Sequence, residues 1–456
     1  MNITHRDEQL ILFKNYLENH LYKYWRNNFN RKNNEEENYQ YKLELIISPT
    51  CNNKCSYCYY NNFKEELYPT CFNDSYSIVD NCKKLFNWLK KEKMCPGGVE
   101  IFSGEPLNLP YINDIMQIIE DNMPPQFPVV IPTNATFCKS DKLLENAEIF
   151  LKRWNNSLHT HFSISIDGKY LDNITRPMQD GTQYDDAFYD RLFTFTKRGI
   201  PFHPMIGPLG IEEWKNNLNW YIENIKKYNN CNTREALDKL YLLEVRNPDW
   251  TPLKLRYLDE FIDYFSSVAF DAYNYDPLDF YYSFLMGRNS NLYSSVNSVL
   301  LRGLGCSIQQ NFSVRLGDLK LVPCHRAAYE GYNACNLIID SKGNVNYKLE
   351  NPNMYMFIKS FNAAASTKCC DCPINDLCSR YCIGCNFEVN HDFFTPVDNV
   401  CALEFSKVFS LCKSLQKIGI LDILINDYSN SSKDYDKIHA SQLIWVRDNL
   451  NNNLNN

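Results

Sequence analysis

The sequence predicts an α/β protein, a partial (β/α)6 barrel of the TIM type followed by a smaller, cysteine-rich domain. Three observations predict it. Short apolar runs alternate with amphipathic helical patterns through the first half of the chain, the rhythm of a parallel sheet. Between Cys306 and Cys401 the texture changes: cysteines crowd together and regular periodicity fades. A separate group, Cys51, Cys55 and Cys58, lies on one short loop directly after the first strand-like run.

The elements follow in order. Residues 7–29 read as a helix, because Leu10, Phe13, Leu17, Leu21 and Tyr24 recur at three- and four-residue steps. The polar run 33–38 reads as a linker. Leu43-Glu44-Leu45-Ile46-Ile47 is a strand that delivers the cysteine loop. Further strands are expected at 99–102, 129–131, 162–166, 202–206 and 241–245, with helices at 77–93, 111–121, 141–154, 186–198 and 212–228. In such a barrel the functional residues belong at the C-terminal ends of the strands. Residues 251–300 read as an aromatic-rich helical bridge, 402–418 and 436–450 as helices, and the Asn-rich tail 451–456 as disordered. The expected domains are 1–40 (helix and linker), 41–250 (core), 251–305 (bridge), 306–405 (cysteine-rich domain) and 406–456 (C-terminal helices and tail). There is no internal repeat.

Bulk properties remove several function classes. The chain has 456 residues, enough for two or three domains. Its net charge of −7 implies no broad basic surface for nucleic acid. No apolar run reaches the roughly 18 residues that span a membrane, and the N-terminus lacks the apolar core of a signal peptide. Nineteen cysteines in a chain of this size, clustered and without a signal, argue for metal ligation in a reducing cytoplasm rather than for disulfides.

The first cysteine group has the spacing C-x3-C-x2-C, with Tyr57 just before the last cysteine. Three thiolates on one loop can hold three irons of a [4Fe–4S] cube and leave the fourth iron open to an outside ligand, whereas structural clusters take four cysteines. A zinc loop is the plain alternative, but zinc favours paired C-x2-C elements with four protein ligands. The spacing resembles the signature of the radical SAM family, in which the outside ligand is S-adenosylmethionine (SAM) and its cleavage releases a 5′-deoxyadenosyl radical.

Ser103-Gly104-Glu105-Pro106 directly follows the second strand. Glycine permits close backbone approach, and a carboxylate at a strand end can accept hydrogen bonds from an ammonium group. Taken alone, the segment is a turn with an exposed Glu. In its place it resembles the family's Gly-Gly-Glu-Pro motif, which implies a hold on the amino group of SAM, with Ser103 in place of the first Gly. Thr133-Asn134 ends the third strand and resembles a Thr-Asn-Gly turn near the nucleoside, with Ala135 in place of Gly. Ser165-Ile166-Asp167-Gly168 ends the fourth strand and resembles the Ser-x-Asp-Gly turn of sulfatase and peptide maturases. That likeness implies that Ser165 and Arg176 hold the SAM carboxylate and that Tyr57 covers the cluster and touches adenine. Glu244 and Arg246 share one face of the sixth strand. Facing inward they would grip substrate or the cofactor ribose; facing outward they are solvated charges.

Cys369-x2-Cys372-x5-Cys378-x3-Cys382, followed after a gap by Cys401, fits the pattern of the SPASM subfamily of radical SAM enzymes. Cys306, Gly317 and Cys324 fit its opening half, with a Gly-to-Cys spacing two residues longer than usual. The resemblance implies two auxiliary [4Fe–4S] clusters: an outer one on Cys369, Cys372, Cys378 and Cys401, and an inner one on Cys306, Cys324 and Cys382. The inner set lacks its usual further cysteine, so it has an open iron or borrows Cys335 or Cys385. Cys370 is a spare thiol. His325 stands where sulfatase maturases place an Asp base; it either takes a proton or hydrogen-bonds beside the cluster.

Together these likenesses imply a peptide maturase that acts on a ribosomally made peptide or a protein, forms a cross-link such as a thioether, and is fed by an electron donor such as flavodoxin or ferredoxin. An anaerobic sulfatase-type maturase that makes formylglycine is the second reading, against which His325 and the incomplete inner set count. A non-enzymatic iron–sulfur carrier is the third, against which a pocket for an amino acid's ammonium and carboxylate counts. Only about fifty residues precede Cys51, so recognition of a peptide leader is expected to use another surface or a separate protein.

Overall fold

The computed structural model describes residues 5–29, 41–68, 74–197, 199–285, 308–360, 366–378 and 382–454. The polar linker at 33–38, residues 286–300 of the bridge and Cys306 lie outside these residues.

The chain begins with helix α1 (His5–Leu17), which passes through a π turn (Glu18–Tyr22) into α2 (Lys23–Phe29). Strand β1 (Leu43–Ser48) is followed by α3 (Ser75–Lys91), β2 (Val99–Ser103), α4 (Ile112–Asn122), β3 (Pro128–Thr133), α5 (Asp141–Ser157) and β4 (His159–Ile164). Then come α6 (Asp186–Thr196), β5 (Met205–Ile206), α7 (Trp214–Asn229), β6 (Leu243–Glu244) and α8 (Pro252–Ala272). Strands β7 (Phe312–Arg315), β8 (Lys320–Val322), β9 (Cys335–Ile339) and β10 (Val345–Leu349) precede α9 (Pro352–Ser360) and α10 (Ile383–Asn390). Helices α11 (Asp398–Lys417), α12 (Leu421–Ser429) and α13 (Asp434–Leu454) end the described chain. Local chemistry sets several starts: Asp74, Ser140, Asp185 and Thr251 accept backbone N–H bonds as N-caps of α3, α5, α6 and α8, and Pro252 opens α8 with its φ already helical.

The residues form two compact units, each discontinuous in sequence. The first takes in residues up to Ile164, Met178–Gly181 and Ser307–Phe361. Its sheet has the order β10-β9-β8-β7-β1-β2-β3-β4. Strands β7, β1, β2, β3 and β4 run parallel, and β7 to β10 form an antiparallel meander. Every residue of β1 is buried, as expected for a central strand of a covered parallel sheet. Along β3 and β4 burial alternates, with Val129, Ile131, Phe162 and Ile164 on the covered face. The β1–β2 register slips between Ile46 and Ser48, an irregularity that re-aims the chain as it enters the cysteine loop.

The second unit contains Ser165–Pro177, Thr182–Cys306 and Asn362–Asn456. Here β5 and β6 pair in parallel as a separate two-stranded sheet, extended by one bridge between Phe202 and Leu240. Ion pairs Lys413–Asp259 and Lys417–Asp263 tie α11 to α8.

The class is α/β with a parallel sheet, as the alternation implies. Three expectations change. The six expected barrel strands divide four and two between sheets. Pro204 interrupts the fifth run and supplies no N–H to a ladder, which cuts β5 to two residues. The region of fading periodicity holds four strands, 312–349, whose lengths of three to five residues are too short for a pattern to declare itself. The Asn-rich tail is helical through Leu454, because extending an established helix adds one hydrogen bond per residue and carries poor helix formers with it.

Candidate functional site

In the first unit, the loop after β1 carries Cys51, Cys55 and Cys58, all half-buried. The turn closes with the Cys58 N–H donating to Cys55 O at 3.2 Å, and Cys58 then caps the short helix Tyr59–Asn62. Cys51 Sγ accepts from Asn53 N (3.4 Å) and from Asn134 Nδ2 (3.7 Å). N–H bonds to a sulfur favour its thiolate, the form that ligates iron. Tyr57 is half-buried on the same turn. Gly104 follows β2 so closely that a Cβ there would sit 2.2 Å from Thr50 O and 2.8 Å from Cys51 Cβ. The glycine therefore lets the end of β2 lie directly against the cysteine loop. Ser103 is the last residue of β2, and Pro106 opens a 3-10 turn capped by Glu105.

Glu105 is 1 % exposed, which overturns the turn-with-exposed-Glu alternative. Its carboxylate accepts from Leu107 N (3.2 Å), Thr133 Oγ1 (2.8 Å) and Asn134 N (2.6 Å). Asn134 in turn donates to Asn52 Oδ1 (2.8 Å), and Asn52 donates to Thr136 Oγ1 (2.6 Å). One buried carboxylate thus locks the ends of β2 and β3 to the cysteine loop.

The second unit begins with Ser165-Ile166-Asp167-Gly168. The Tyr221 hydroxyl donates to Ile166 O at 2.7 Å, and Asn217 donates to Asp167 O. Gly168 has φ +108, and a Cβ there would meet Asn217 Oδ1 at 2.4 Å, so this position requires glycine. Asp172 accepts from Asp167 N (2.8 Å), Gly168 N (3.1 Å) and the Tyr189 hydroxyl (2.8 Å). Burial and the neighbouring Asp167 carboxylate push Asp172 up to about 7. Arg176, 5 % exposed, brings Nη1 to 3.9 Å from Asp167 Oδ1. Ser165 is half-buried. Burial and the same guanidinium hold His203 down at about 4, so it is a neutral imidazole at working pH.

The later cysteines of the second unit sit on turns and helix starts. Cys369 lies in the short helix Thr367–Cys370, and the Cys372 N–H donates to Cys369 O at 3.1 Å. The Cys378 N–H donates to Ile374 O at 2.8 Å, and Cys401 lies in the first turn of α11. Burial raises the Cys401 thiol, Lys368 opposes this, and the Cys369 and Cys372 thiols add to it. Cys382 caps α10 and Cys385 is buried in its first turn, while Cys370 is exposed. Among the described residues no three Cys, His, Asp or Glu side chains close around a point that would hold a single metal ion.

Residues 45–228 match the family model described as the radical SAM superfamily. The chain carries a radical SAM domain. Members of this superfamily are enzymes, and the family implies a [4Fe–4S] cluster and SAM. An uncharacterised protein of Methanocaldococcus jannaschii is 28 % identical over 189 residues, which is 41 % of this chain and 57 % of that protein, so the match spans little more than half of this relative. The solved structure "Native anSMEcpe with bound AdoMet" is similar in fold, with a TM-score of 0.53 and 15 % identity over 85 % of this chain and 100 % of that one. SuiB of Streptococcus suis bound to the precursor peptide SuiA aligns at a TM-score of 0.45 and 16 % identity, over 79 % of this chain and 76 % of that one.

Beyond the radical SAM match lie the remaining predicted residues. Cys324 is buried and starts a 3-10 turn that contains His325. Lys359, 3 % exposed, donates to the carbonyls of Ile308, Asn311 and Pro323 and so fixes the backbone leading to Cys324. The His325 ring stacks on Phe102, centroids 3.9 Å apart, with Nδ1 3.4 Å from Glu44 Oε2. Desolvation would raise the Glu44 carboxyl, but His325, the Ser313 hydroxyl and Lys42 outweigh it and hold it at about 2. Glu44 escaped the sequence reading, although a charge inside an otherwise apolar five-residue run was its signal.

Glu244 and Arg246 are neither solvated nor free. Lys407, with 1 % of its side chain exposed, lies 3.2 Å from Glu244 Oε2 and 2.9 Å from Glu404 Oε1, and Arg246 Nε lies 3.7 Å from Glu404. Both reach the same buried acid–base group on α11. Cys335 is one of the cysteines that the sequence offers to the inner set. It sits inside β9, fully buried, and burial pushes its thiol far up. Its sulfur lies near the Tyr22, Tyr347 and Tyr355 side chains.

Proposed function

We propose that this chain is a radical SAM/SPASM maturase that modifies a ribosomally made peptide, abstracting hydrogen from one residue and closing a cross-link such as a thioether. The observation that carries the reading is the loop of Cys51, Cys55 and Cys58, against which Gly104 at the end of β2 packs directly, within the residues that match a radical SAM domain. When bound, the cluster and SAM supply a 5′-deoxyadenosyl radical that removes a hydrogen atom from an unactivated carbon.

The chain's own residues do the holding. Cys51, Cys55 and Cys58 ligate the radical cluster, and Asn134 and the Asn53 amide stabilise the Cys51 thiolate. Gly104 and Pro106 bring the end of β2 against the cluster loop, and Ser103 and Glu105 set where the SAM amino group rests. Glu105 does this chiefly by fixing Thr133 and Asn134. Tyr57 covers adenine. Ser165 and Arg176 take the SAM carboxylate, and Arg176 shares its charge with Asp167. Cys369, Cys372, Cys378 and Cys401 hold the outer auxiliary cluster. Cys306, Cys324 and Cys382 contribute to the inner one, whose remaining iron is open or takes Cys335 or Cys385. His325, oriented by Glu44 and Phe102, is the polar side chain beside Cys324. Glu244 and Arg246 position α11, a reading that replaces a direct grip on substrate. The electron donor is of the flavodoxin or ferredoxin type, and the working compartment is the cytoplasm.

The test is mass analysis of short peptides encoded beside the gene after anaerobic co-expression. A loss of two hydrogens at a defined residue pair, abolished by Cys58→Ala, is expected. Unchanged peptides with 5′-deoxyadenosine still released would overturn the cross-linking reading in favour of a protein substrate such as a sulfatase.

A further inference from the structure

Residues 434–454 follow the last cysteine of the pattern and have no part in the assignments above, yet α13 reaches back to the Cys372–Cys378 loop. That loop is short and mostly self-bonded. Asn375 N donates to Cys372 O (3.0 Å), and Leu377 N and Cys378 N donate to Ile374 O (3.0 and 2.8 Å). Ile374 and Leu377 anchor it through burial, at 1 % and 0 % exposed. Asp376 behaves differently. Its amide leaves the loop and donates to Gln442 Oε1 at 2.8 Å, and its carboxylate Oδ2 lies 3.3 Å from His439 Nδ1. A carboxylate has only acceptors, so the imidazole N–H is the donor in that contact.

His439 is 0 % exposed and sits in the inner stripe of α13 with Ala440, Leu443 and Val446. Packing alone would favour an apolar side chain there, since burying an imidazole costs free energy unless its polar atoms are paired. The Tyr428 ring on α12 lies against it, centroids 4.6 Å apart, and holds its plane. One helix therefore grips both the amide and the carboxylate of a single residue that stands between two cysteines.

We infer that α13 is a clamp on the outer-cluster loop, with His439 and Gln442 as positioning residues that fix the spacing of Cys372 and Cys378. The inference rests on the reading of those cysteines as ligands. By holding the loop at Asp376, the clamp keeps both thiolates at cluster spacing when the loop would otherwise open, and so slows the escape of iron.

The experiment uses the anaerobically reconstituted full chain and reads iron per chain against time under a chelator, with the EPR signal of the reduced protein as a second readout. The double variant His439→Leu/Gln442→Leu keeps the apolar stripe and removes both polar contacts. It is expected to lose one cluster's worth of iron about tenfold faster, the scale of two modest hydrogen bonds, while SAM cleavage continues. Gln442→Met, at a half-buried position that does not threaten folding, is expected to show a smaller acceleration of about threefold. Cys369→Ala/Cys401→Ala, which removes two of the four thiols and supplies no replacement ligand, is the control for the underlying reading. If it holds as much iron as the wild type, the auxiliary-cluster reading falls, and this inference with it. If it holds less and both clamp variants lose iron at the wild-type rate, the clamp alone is overturned.

Discussion

At the scale of single residues, contact distance decides more than residue type. Gly104→Ala adds one methyl group, but that carbon would stand 2.2 Å from Thr50 O and 2.8 Å from Cys51 Cβ, so the cysteine loop must move. Displacement near 1 Å costs a positioned reaction about 100-fold, and the expected outcome is a fall of that order in 5′-deoxyadenosine release with soluble yield unchanged. Glu44 makes a different prediction. Its folded pKa, about 2, lies below the ordinary value of 4.5, so it contributes stability above about pH 4.5 and loses it as pH falls toward 2. The gap corresponds to roughly 3 kcal/mol at 1.36 kcal/mol per unit. Thermal melts of Glu44→Gln should therefore lie below the wild type at neutral pH and converge with it between pH 4.5 and 2; parallel curves would show that the carboxylate is not held. The loop that carries Cys51, Cys55 and Cys58 was legible in the sequence because cysteine spacing is a local property. The Glu44–His325 pair was not, since its members are 281 positions apart and only the β1–β7 pairing brings their segments together.

At the scale of elements, α11 is held by charge as well as by packing. Lys407 is buried between Glu244 and Glu404, with Arg246 beside Glu404. Removing one partner of such a group leaves uncompensated buried charge, which costs about 3–5 kcal/mol, whereas replacing a pair with apolar residues of similar volume is close to neutral. Lys407→Met is thus expected to lower the melting temperature strongly, and Glu244→Leu/Lys407→Met to recover most of it. Retained activity in the recovered double variant would mark Glu244 as positioning α11; lost activity at full stability would return it to the substrate. The long helices and the strands β1 to β4 were readable because ten or more residues of periodicity, or a run of β-branched and apolar residues, survive any tertiary context. The strands β7 to β10 were hidden. They are short, and they carry buried polar groups such as Ser313 and Arg315 that break the apolar pattern.

At the scale of the molecule, the first unit is built from segments that are remote in sequence. Strand β7 adds to β1 through Leu43↔Phe312, Glu44↔Ser313, Leu45↔Val314 and Ile46↔Arg315, so residues 312–315 flank the strand that delivers Cys51, Cys55 and Cys58. The expected core, 41–250, stops before them. A fragment of residues 1–250 would expose one whole edge of β1, a strand buried along its entire length, and strip Glu44 of Ser313, Asn311 and His325. An unpaired apolar edge is a template for aggregation, and a carboxylate that has lost its hydrogen-bond donors adds further cost. The fragment is expected to be insoluble or to bind no iron after reconstitution, while a chain running through residue 361, which restores β7 to β10 and α9, regains a soluble first unit. Equal solubility and iron content for the two would show that the radical SAM half folds without β7. The reason to expect otherwise is physical: in a parallel sheet each central strand needs hydrogen-bonded neighbours on both sides, and for β1 one of those neighbours arrives only after residue 311.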